Sequence, residues 1–308
     1  MDYTFIIPIY NRPDELRELL DSFTRQKGFH GSYEIIVVED GSSMPSKEVV
    51  ESFQLPISYH AQANTGPSGA RNYGASFAQG EWLVFLDSDT ILPDTYLQNV
   101  EQGLQKIPCD LWGGPDAASP DFTITQKAIN YSMTSLLTTG GIRGRKKSVD
   151  KFYPRTFNMG IRASLFHKLE GFRVSMRYGE DLDLSMRALE SGAASALLPE
   201  AWLYHKRRGT FKDFFNQVRH SGRARIVLNK YHHGTLGLVH VLPSLFTIAL
   251  LFFWHPIVGP LLLAYFLAIV CDVYAKDGSL ELAGYAVVAT LTQHIGYGVG
   301  FIEGLFNI

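Results

Sequence analysis

The sequence predicts an α/β domain with a mostly parallel sheet, followed by C-terminal transmembrane helices. Three observations predict it. Short apolar runs alternate with helical patterns over the first ~200 residues, the sign of a parallel sheet. The last ~75 residues turn almost uncharged over stretches near the ~20 residues that a bilayer requires. Charge is also unevenly placed: Tyr231–Ile308 holds one basic residue, Lys276, whereas His205–Lys230 holds eight against the single acid Asp213.

The apolar runs are Tyr3–Pro8, Tyr33–Val38, Ile57–His60 and Trp82–Leu86. Phe5–Ile9 is too short for a signal peptide and lacks a basic flank, so it reads as a buried strand. Between the first two runs, Leu16, Leu19, Leu20 and Phe23 share one helix face over Pro13–Arg25, with Pro13 suited to the first turn. Ser68–Ala78 and Pro93–Lys106 are the next helices. Further on, Asn158–Ile161 reads as an edge strand, Ser164–Leu169 as a short helix stopped by Gly171, and Glu180–Glu190 as a helix stopped by Gly192. The Gly-rich, basic Thr139–Lys151 reads as a mobile loop whose Arg143, Arg145, Lys146 and Lys147 suit diphosphate groups.

Leu236–Trp254 is long and uncharged enough to span a membrane by itself. Ile257–Cys271, after the His255-Pro256 interruption, is marginal, and Ala283–Ile302 is a third apolar stretch. The basic run before them orients the N-terminal part to the cytoplasm. Within it Phe211, Phe214, Phe215 and Val218 have the spacing of an interfacial amphipathic helix. The expected domains are a catalytic domain over 1–204, an interfacial region over 205–233 and a membrane region of two or three helices over 234–308. The expected location is the cytoplasmic (inner) membrane, multi-pass, with the catalytic domain facing the cytoplasm.

Composition excludes several classes. A formal net charge of −2 in 308 residues provides no global basic surface for nucleic acid. Two distant cysteines, Cys109 and Cys271, exclude a disulfide scaffold and a Cys-rich zinc site, and suit a reducing compartment.

Parallel sheets bind ligands at the carboxyl ends of their strands. Polar clusters follow all four N-terminal strands, at Tyr10-Asn11-Arg12, Glu39-Asp40-Gly41-Ser42, Asn64–Asn72 and Asp87-Ser88-Asp89. Two carboxylates one residue apart at a strand end can converge on a hard cation such as Mg²⁺. A helix cap explains one acid but not both. Asp40 has the alternative of a turn with Gly41, Tyr10 of rim packing, and Arg71 of a surface salt bridge. Glu180, Asp181 and Asp183 open a helix, where the macrodipole favours acids. If Leu184 faces the core, Asp181 lies towards the sheet and Asp183 points away.

The segments IIPIYNRPDEL, VVEDGS, NTGPSGARNYG, FLDSDT, NMGIRASLF–GF and YGEDLDLSMRA follow one another as in family 2 glycosyltransferases, inverting enzymes of the GT-A fold. The resemblance covers roughly residues 3–205. It implies a Rossmann-like nucleotide-sugar-binding domain and transfer of a sugar in one displacement. It further implies that Pro8, Tyr10, Arg12, Asp40, Arg71, Asp87 and Asn158 line the nucleotide-sugar pocket. Asp87 and Asp89 are the metal pair, holding Mg²⁺ or Mn²⁺. Asp181 is the base that activates the acceptor, with Glu180 supporting the site. His205 is a further candidate for the cation, beside the plainer reading of a packed or exposed imidazole. Gln217-Val218-Arg219-His220-Ser221 departs from the Q-x-x-R-W box of processive synthases, which favours transfer of a single sugar. The expected partners are a UDP- or GDP-linked donor, a lipid-linked saccharide acceptor and a membrane, with no nucleic acid; a homo-oligomer is allowed. The alternatives are a polyprenyl-phosphate glycosyltransferase and an inactive nucleotide-sugar-binding scaffold.

Overall fold

A computed structural model describes residues 1–139 and 152–306; the basic loop residues 140–151 lie outside this set. The described chain divides into two compact units, 1–117 with 152–205, and 118–139 with 206–306.

The first unit opens with β1 (Tyr3–Ile9), α1 (Pro13–Thr24), β2 (Tyr33–Asp40), α2 (Lys47–Glu51), β3 (Ile57–Gln62), α3 (Pro67–Ala75) and β4 (Trp82–Leu86). There follow β5 (Thr90–Ile91), α4 (Tyr96–Lys106), β6 (Leu111–Gly113) and β7 (Asp116–Ala117). In the second unit α5 (Ile124–Thr134) and α6 (Leu136–Thr139) come next. The first unit then resumes with β8 (Asn158–Arg162), α7 (Ala163–Lys168), α8 (Glu180–Glu190), β9 (Ser195–Leu197) and β10 (Leu203–His205). Seven strands form a sheet in the order β3-β2-β1-β4-β8-β6-β9, and β5-β10-β7 form a small second sheet. β1 to β4 run parallel, so their carboxyl ends share one rim.

The period-2 pattern of these strands gives the sheet two cores. Phe5, Ile7, Val37, Val84 and Leu86 pack with Leu16, Leu19, Leu20 and Phe23 of α1 on one face. Ile6, Leu83 and Phe85 pack with Phe166, Phe172 and Leu184 on the other. Each fully buried side chain of this kind stabilises the fold by ~1.5–3 kcal/mol. At Gly74 a Cβ would come 2.7 Å from Ile6, so a side chain there would hold α3 off the sheet.

β8 is not the edge strand its sequence suggests. It runs antiparallel between β4 and β6 in the sheet interior. A Cβ at Gly160 would sit 2.1 Å from the Trp112 indole, so this glycine, which weakens the strand pattern in sequence, makes room for a neighbouring ring.

The second unit adds α9 (Phe211–Tyr231), α10 (Leu242–Leu250), α11 (Val258–Asp277) and α12 (Leu280–Phe306) to α5 and α6. α5 joins the core of these later helices through Ala128, Ile129 and Met133. Arg207 also donates to Asn130 Oδ1 at 3.1 and 3.0 Å.

Two expectations change here. Leu236–Trp254 does not form a spanning helix: α10 has nine residues and starts beside Pro243. Among the described residues α11 alone is long and apolar enough to cross a membrane. The first apolar stretch therefore loses its expected span, and the second alone has the length and composition for one. The aromatic face of α9 is also not an open interfacial face. Phe214 and Val218 are buried in one core with α12, and glycines 296, 300 and 304 let the two helices approach closely.

Candidate active site

The site begins at the shared rim of β1, β2, β3 and β4. Asn11, just past β1, takes a left-handed φ of 54°. From there its side-chain oxygen accepts from Ser43 N at 2.7 Å and Met44 N at 3.1 Å, joining the loops after β1 and β2. Asp40, buried at the end of β2, accepts from Thr65 N and Gly66 N, each at 2.9 Å. Its carboxylate therefore shapes the turn into α3, which is neither the local Asx turn with Gly41 nor a group projecting freely from the rim. Pro8 is half-buried and Tyr10 lies exposed on the same rim. Arg12 is held by Glu15 at 2.8 Å and stands 3.8 Å from Asp89.

Asp87 and Asp89 leave β4 in opposite company. Asp87 accepts from Arg71 Nη2 at 2.7 Å. Asp89 meets His205 Nε2 at 3.2 Å from its Oδ1. That meeting is built by the small sheet: β10 pairs antiparallel with β5, His205 opposite Thr90. The His205 ring stacks on Phe157 with centroids 4.8 Å apart, and its Nδ1 lies 3.9 Å from Asp116. One ligand atom each from Asp87, Asp89 and His205 fall within 4.8 Å of one another. Two carboxylate oxygens and one imidazole nitrogen so close together fit a divalent cation that accepts mixed oxygen and nitrogen donors, and the Asp116 carboxylate stands 3.9 Å from the other imidazole nitrogen, beyond hydrogen-bond distance.

The second set of acids opens α8. Arg71 is 4 % exposed and donates through Nη1 to Glu180 Oε1 at 3.0 Å while its Nη2 holds Asp87. One guanidinium thus straps Asp87, after β4, to Glu180, at the start of α8. Arg71 is a buried strut and not a surface salt bridge. Burial, and then the negative charge of Asp181, push the Glu180 carboxyl up to about 7. Asp181 accepts from Arg155 Nη1 at 3.1 Å, and its other oxygen accepts from Leu182 N at 2.8 Å. The Asp181 charge holds the Arg155 guanidinium above its usual range.

Two expected placements are corrected. Asn158 is fully buried: it accepts from Tyr96 Oη at 2.6 Å and donates to Ala201 O at 2.8 Å, so both ends of its amide are satisfied within the protein. Asp183 does not point to solvent. It is fully buried between Arg173 at 3.0 Å and Arg187 at 2.8 Å, and Arg187 also donates to the carbonyls of Leu169 and Gly171. This closes the loop before α8 onto the helix. Arg155 and Asp116 are site residues the sequence reading missed. Neither lies in a recognisable motif, and only an arginine isolated between Pro154 and Thr156 hints at the first.

The model of the family described as Glycosyl transferase family 2 matches residues 4–170. An uncharacterized glycosyltransferase of Haemophilus influenzae is 27% identical over 202 residues, 61% of this chain and 62% of that one. The succinoglycan biosynthesis protein ExoO of Rhizobium meliloti is 29% identical over 226 residues, 68% of this chain and 62% of that one. The match thus spans less than two thirds of the length of each relative. Among solved structures, the mannosyltransferase PcManGT of Pyrobaculum calidifontis, in complex with GDP-Man and Mn²⁺, superposes with a TM-score of 0.61 at 18% identity, covering 99% of this chain and 87% of that one. At that identity the likeness speaks to the fold, which is of the GT-A-like α/β kind.

Proposed function

The chain belongs to glycosyl transferase family 2, and from that premise we propose a specific reaction for it. It moves a single sugar, with inversion, from a UDP- or GDP-linked donor to a lipid-linked saccharide at a membrane, in cell-envelope polysaccharide or glycoconjugate synthesis. The observation that carries this reading is the Arg71 strap, in which one buried guanidinium joins Asp87 after β4 to Glu180 at the start of α8. A polysaccharide role is supported by the likeness to a succinoglycan biosynthesis protein, and a nucleotide-sugar donor by the likeness to an enzyme held with GDP-Man.

Asp87, Asp89 and His205 would hold the divalent cation, Mg²⁺ or Mn²⁺. When bound, that cation supplies charge neutralisation at the donor diphosphate. Asp181 is the base. An acceptor hydroxyl within reach of its carboxylate gives up its proton to Asp181 as the hydroxyl oxygen bonds to the anomeric carbon. The bond from that carbon to the diphosphate breaks on the opposite side, and the nucleoside diphosphate leaves. Arg155, which donates to one Asp181 oxygen, orients the carboxylate. Tyr10 and Pro8, on the rim, would meet the nucleoside, and Arg12 its phosphates. Asp40 supports the pocket through the Thr65-Gly66 turn.

The test measures nucleoside diphosphate release and sugar transfer with full-length protein, a donor panel and two acceptors, a lipid-linked saccharide and polyprenyl phosphate. We expect transfer to the saccharide, abolished by EDTA and restored by Mn²⁺. Asp181→Asn should lose ~10²–10⁴-fold in turnover with donor binding intact. Preference for polyprenyl phosphate would assign the enzyme to lipid charging. Unchanged turnover in Asp181→Asn would remove the proposed base, and pyrophosphate release would place the reaction in nucleotidyl transfer.

A further inference from the structure

The second unit carries a surface that the transfer reaction does not use. From Tyr231 to Cys271 there is no Asp, Glu, Lys or Arg. Within this stretch all seven residues of the turn between α10 and α11, Leu251–Ile257, are exposed, with Trp254 79 % accessible and Leu251 64 %. Leu261 and Leu267 continue the exposed apolar surface along α11, which is buried over only 22% of its most apolar window. A water-soluble surface does not leave so large a continuous apolar patch uncovered. A protein partner would meet some polar rim, and no charged residue interrupts this surface.

The packing of the unit decides how a bilayer could cover it. α11 and α12 are joined by the two residues Gly278-Ser279, and Tyr265 Oη lies 3.0 Å from His294 Nε2, so they run antiparallel side by side. α9 lies against the same length of α12. Phe211 is at Tyr285, Val218 at Gly296, the Arg219 backbone at Gly300 and Ile226 at Gly304. Any bilayer crossed by α11 from Val258 to Asp277 would therefore also contain the stretch of α9 that bears Lys212, Asp213, Arg219 and Arg223. Charged side chains at that depth are strongly disfavoured. α10, with nine residues, is ~14 Å long, under half the hydrocarbon thickness. It can enter a bilayer but not cross it.

We propose that α10, the Leu251–Ile257 turn and the exposed face of α11 form a monotopic membrane anchor. It enters one leaflet and leaves on the side it came from, and α9 and α12 remain outside the hydrocarbon. The occupant of the patch is the lipid of that leaflet. This rests on the membrane-acceptor reading above, and it replaces the multi-pass arrangement expected from hydropathy.

The experiment uses full-length protein with Cys109→Ser and Cys271→Ala, and one added cysteine at exposed His233 or exposed Glu281, before and after the anchor. The protein is reconstituted on sealed vesicles of phosphatidylethanolamine and phosphatidylglycerol, and labelled from outside with a membrane-impermeant maleimide. A monotopic anchor predicts co-flotation with vesicles, equal labelling of the two positions from the same side, and quenching of Trp254 fluorescence by lipids brominated at shallow acyl positions. If the protein floats with vesicles but Glu281→Cys labels only after the vesicles are opened, α11 spans and the proposal is overturned. A protein that does not float with vesicles overturns both the anchor and the membrane-acceptor reading. Flotation lost in a Trp254→Glu, Phe253→Glu variant, with circular dichroism and nucleotide-sugar binding unchanged, would assign the contact to the turn itself.

Discussion

The two units bury opposite things. In the first, the interior holds charge: Arg71, Glu180, Asp181 and Asp183 are nine-tenths or more buried, and each is held by a partner of opposite sign or by the backbone. In the second, the interior is apolar, with Phe214, Ile269 and Val273 beside alanines and close-approach glycines, while further leucine, phenylalanine and tryptophan side chains face outward. A buried charge is retained only where its partners are complete, because an unpaired one costs several kcal/mol. An exposed apolar patch persists only where something other than water covers it. The difference teaches that buried paired charge marks the proposed site of one unit and exposed apolar side chains mark the proposed anchor of the other.

The comparison can be broken most sharply at Asp89. Asp89→Asn should lower metal-supported transfer by ~10³-fold, about 4 kcal/mol, while donor-free thermal melting moves little. A variant that melts early and still transfers would make Asp89 a structural group and erase the contrast. The matching change in the second unit is Gly300→Val. A Cβ there would lie 1.8 Å from the Arg219 carbonyl oxygen, so α9 and α12 must separate, at a cost of about 3 kcal/mol. Hydrogen exchange should show faster opening of α9 and α12, and no change in β1 or β4. Gly66→Ala is the control: nothing lies within 4 Å, and only its φ of +83° opposes a side chain, at ~1–2 kcal/mol.

Glu180 sharpens the comparison through pH. Its folded carboxyl is raised from 4.5 to about 7, so the folded state holds the proton more tightly than the unfolded state. That contribution to stability is complete below the unfolded value and is lost as pH rises through about 7. Stability of the first unit should therefore fall between pH 5 and pH 8 by on the order of 2 kcal/mol, and Glu180→Gln should flatten the fall. Equal slopes for both proteins would remove Glu180 as the cause. The smallest effect is expected at Thr123, whose hydroxyl accepts from Gln126 N while Gln126 Oε1 accepts from Thr123 N. Thr123→Ala should cost about 1 kcal/mol, measurable by chemical denaturation of the full-length protein.

Much of the first unit was legible because its signals are local. The runs that became β1 to β4, the apolar face of α1 and the boundaries of α8 follow from side-chain period and from Pro and Gly placement. The motif order carried the acids at 87, 89, 180 and 181. Arg155 and Asp116 were not legible, because their roles arise from contacts with residues 26 and 89 positions away. Asn158 misled for the opposite reason: its motif neighbours point to a pocket, yet Tyr96 and Ala201 enclose its amide.

Composition and periodicity alone determined that this chain has a parallel-sheet domain with acids on one rim and an uncharged C-terminal stretch. Tertiary structure decided which acids share a network, since a single arginine on α3 joins β4 to α8. It also decided which apolar helix stays exposed, since α12 covers the face of α9 and leaves α11 open. The physical reason is common to both: side-chain period states which face is apolar or charged, and only packing states what that face meets.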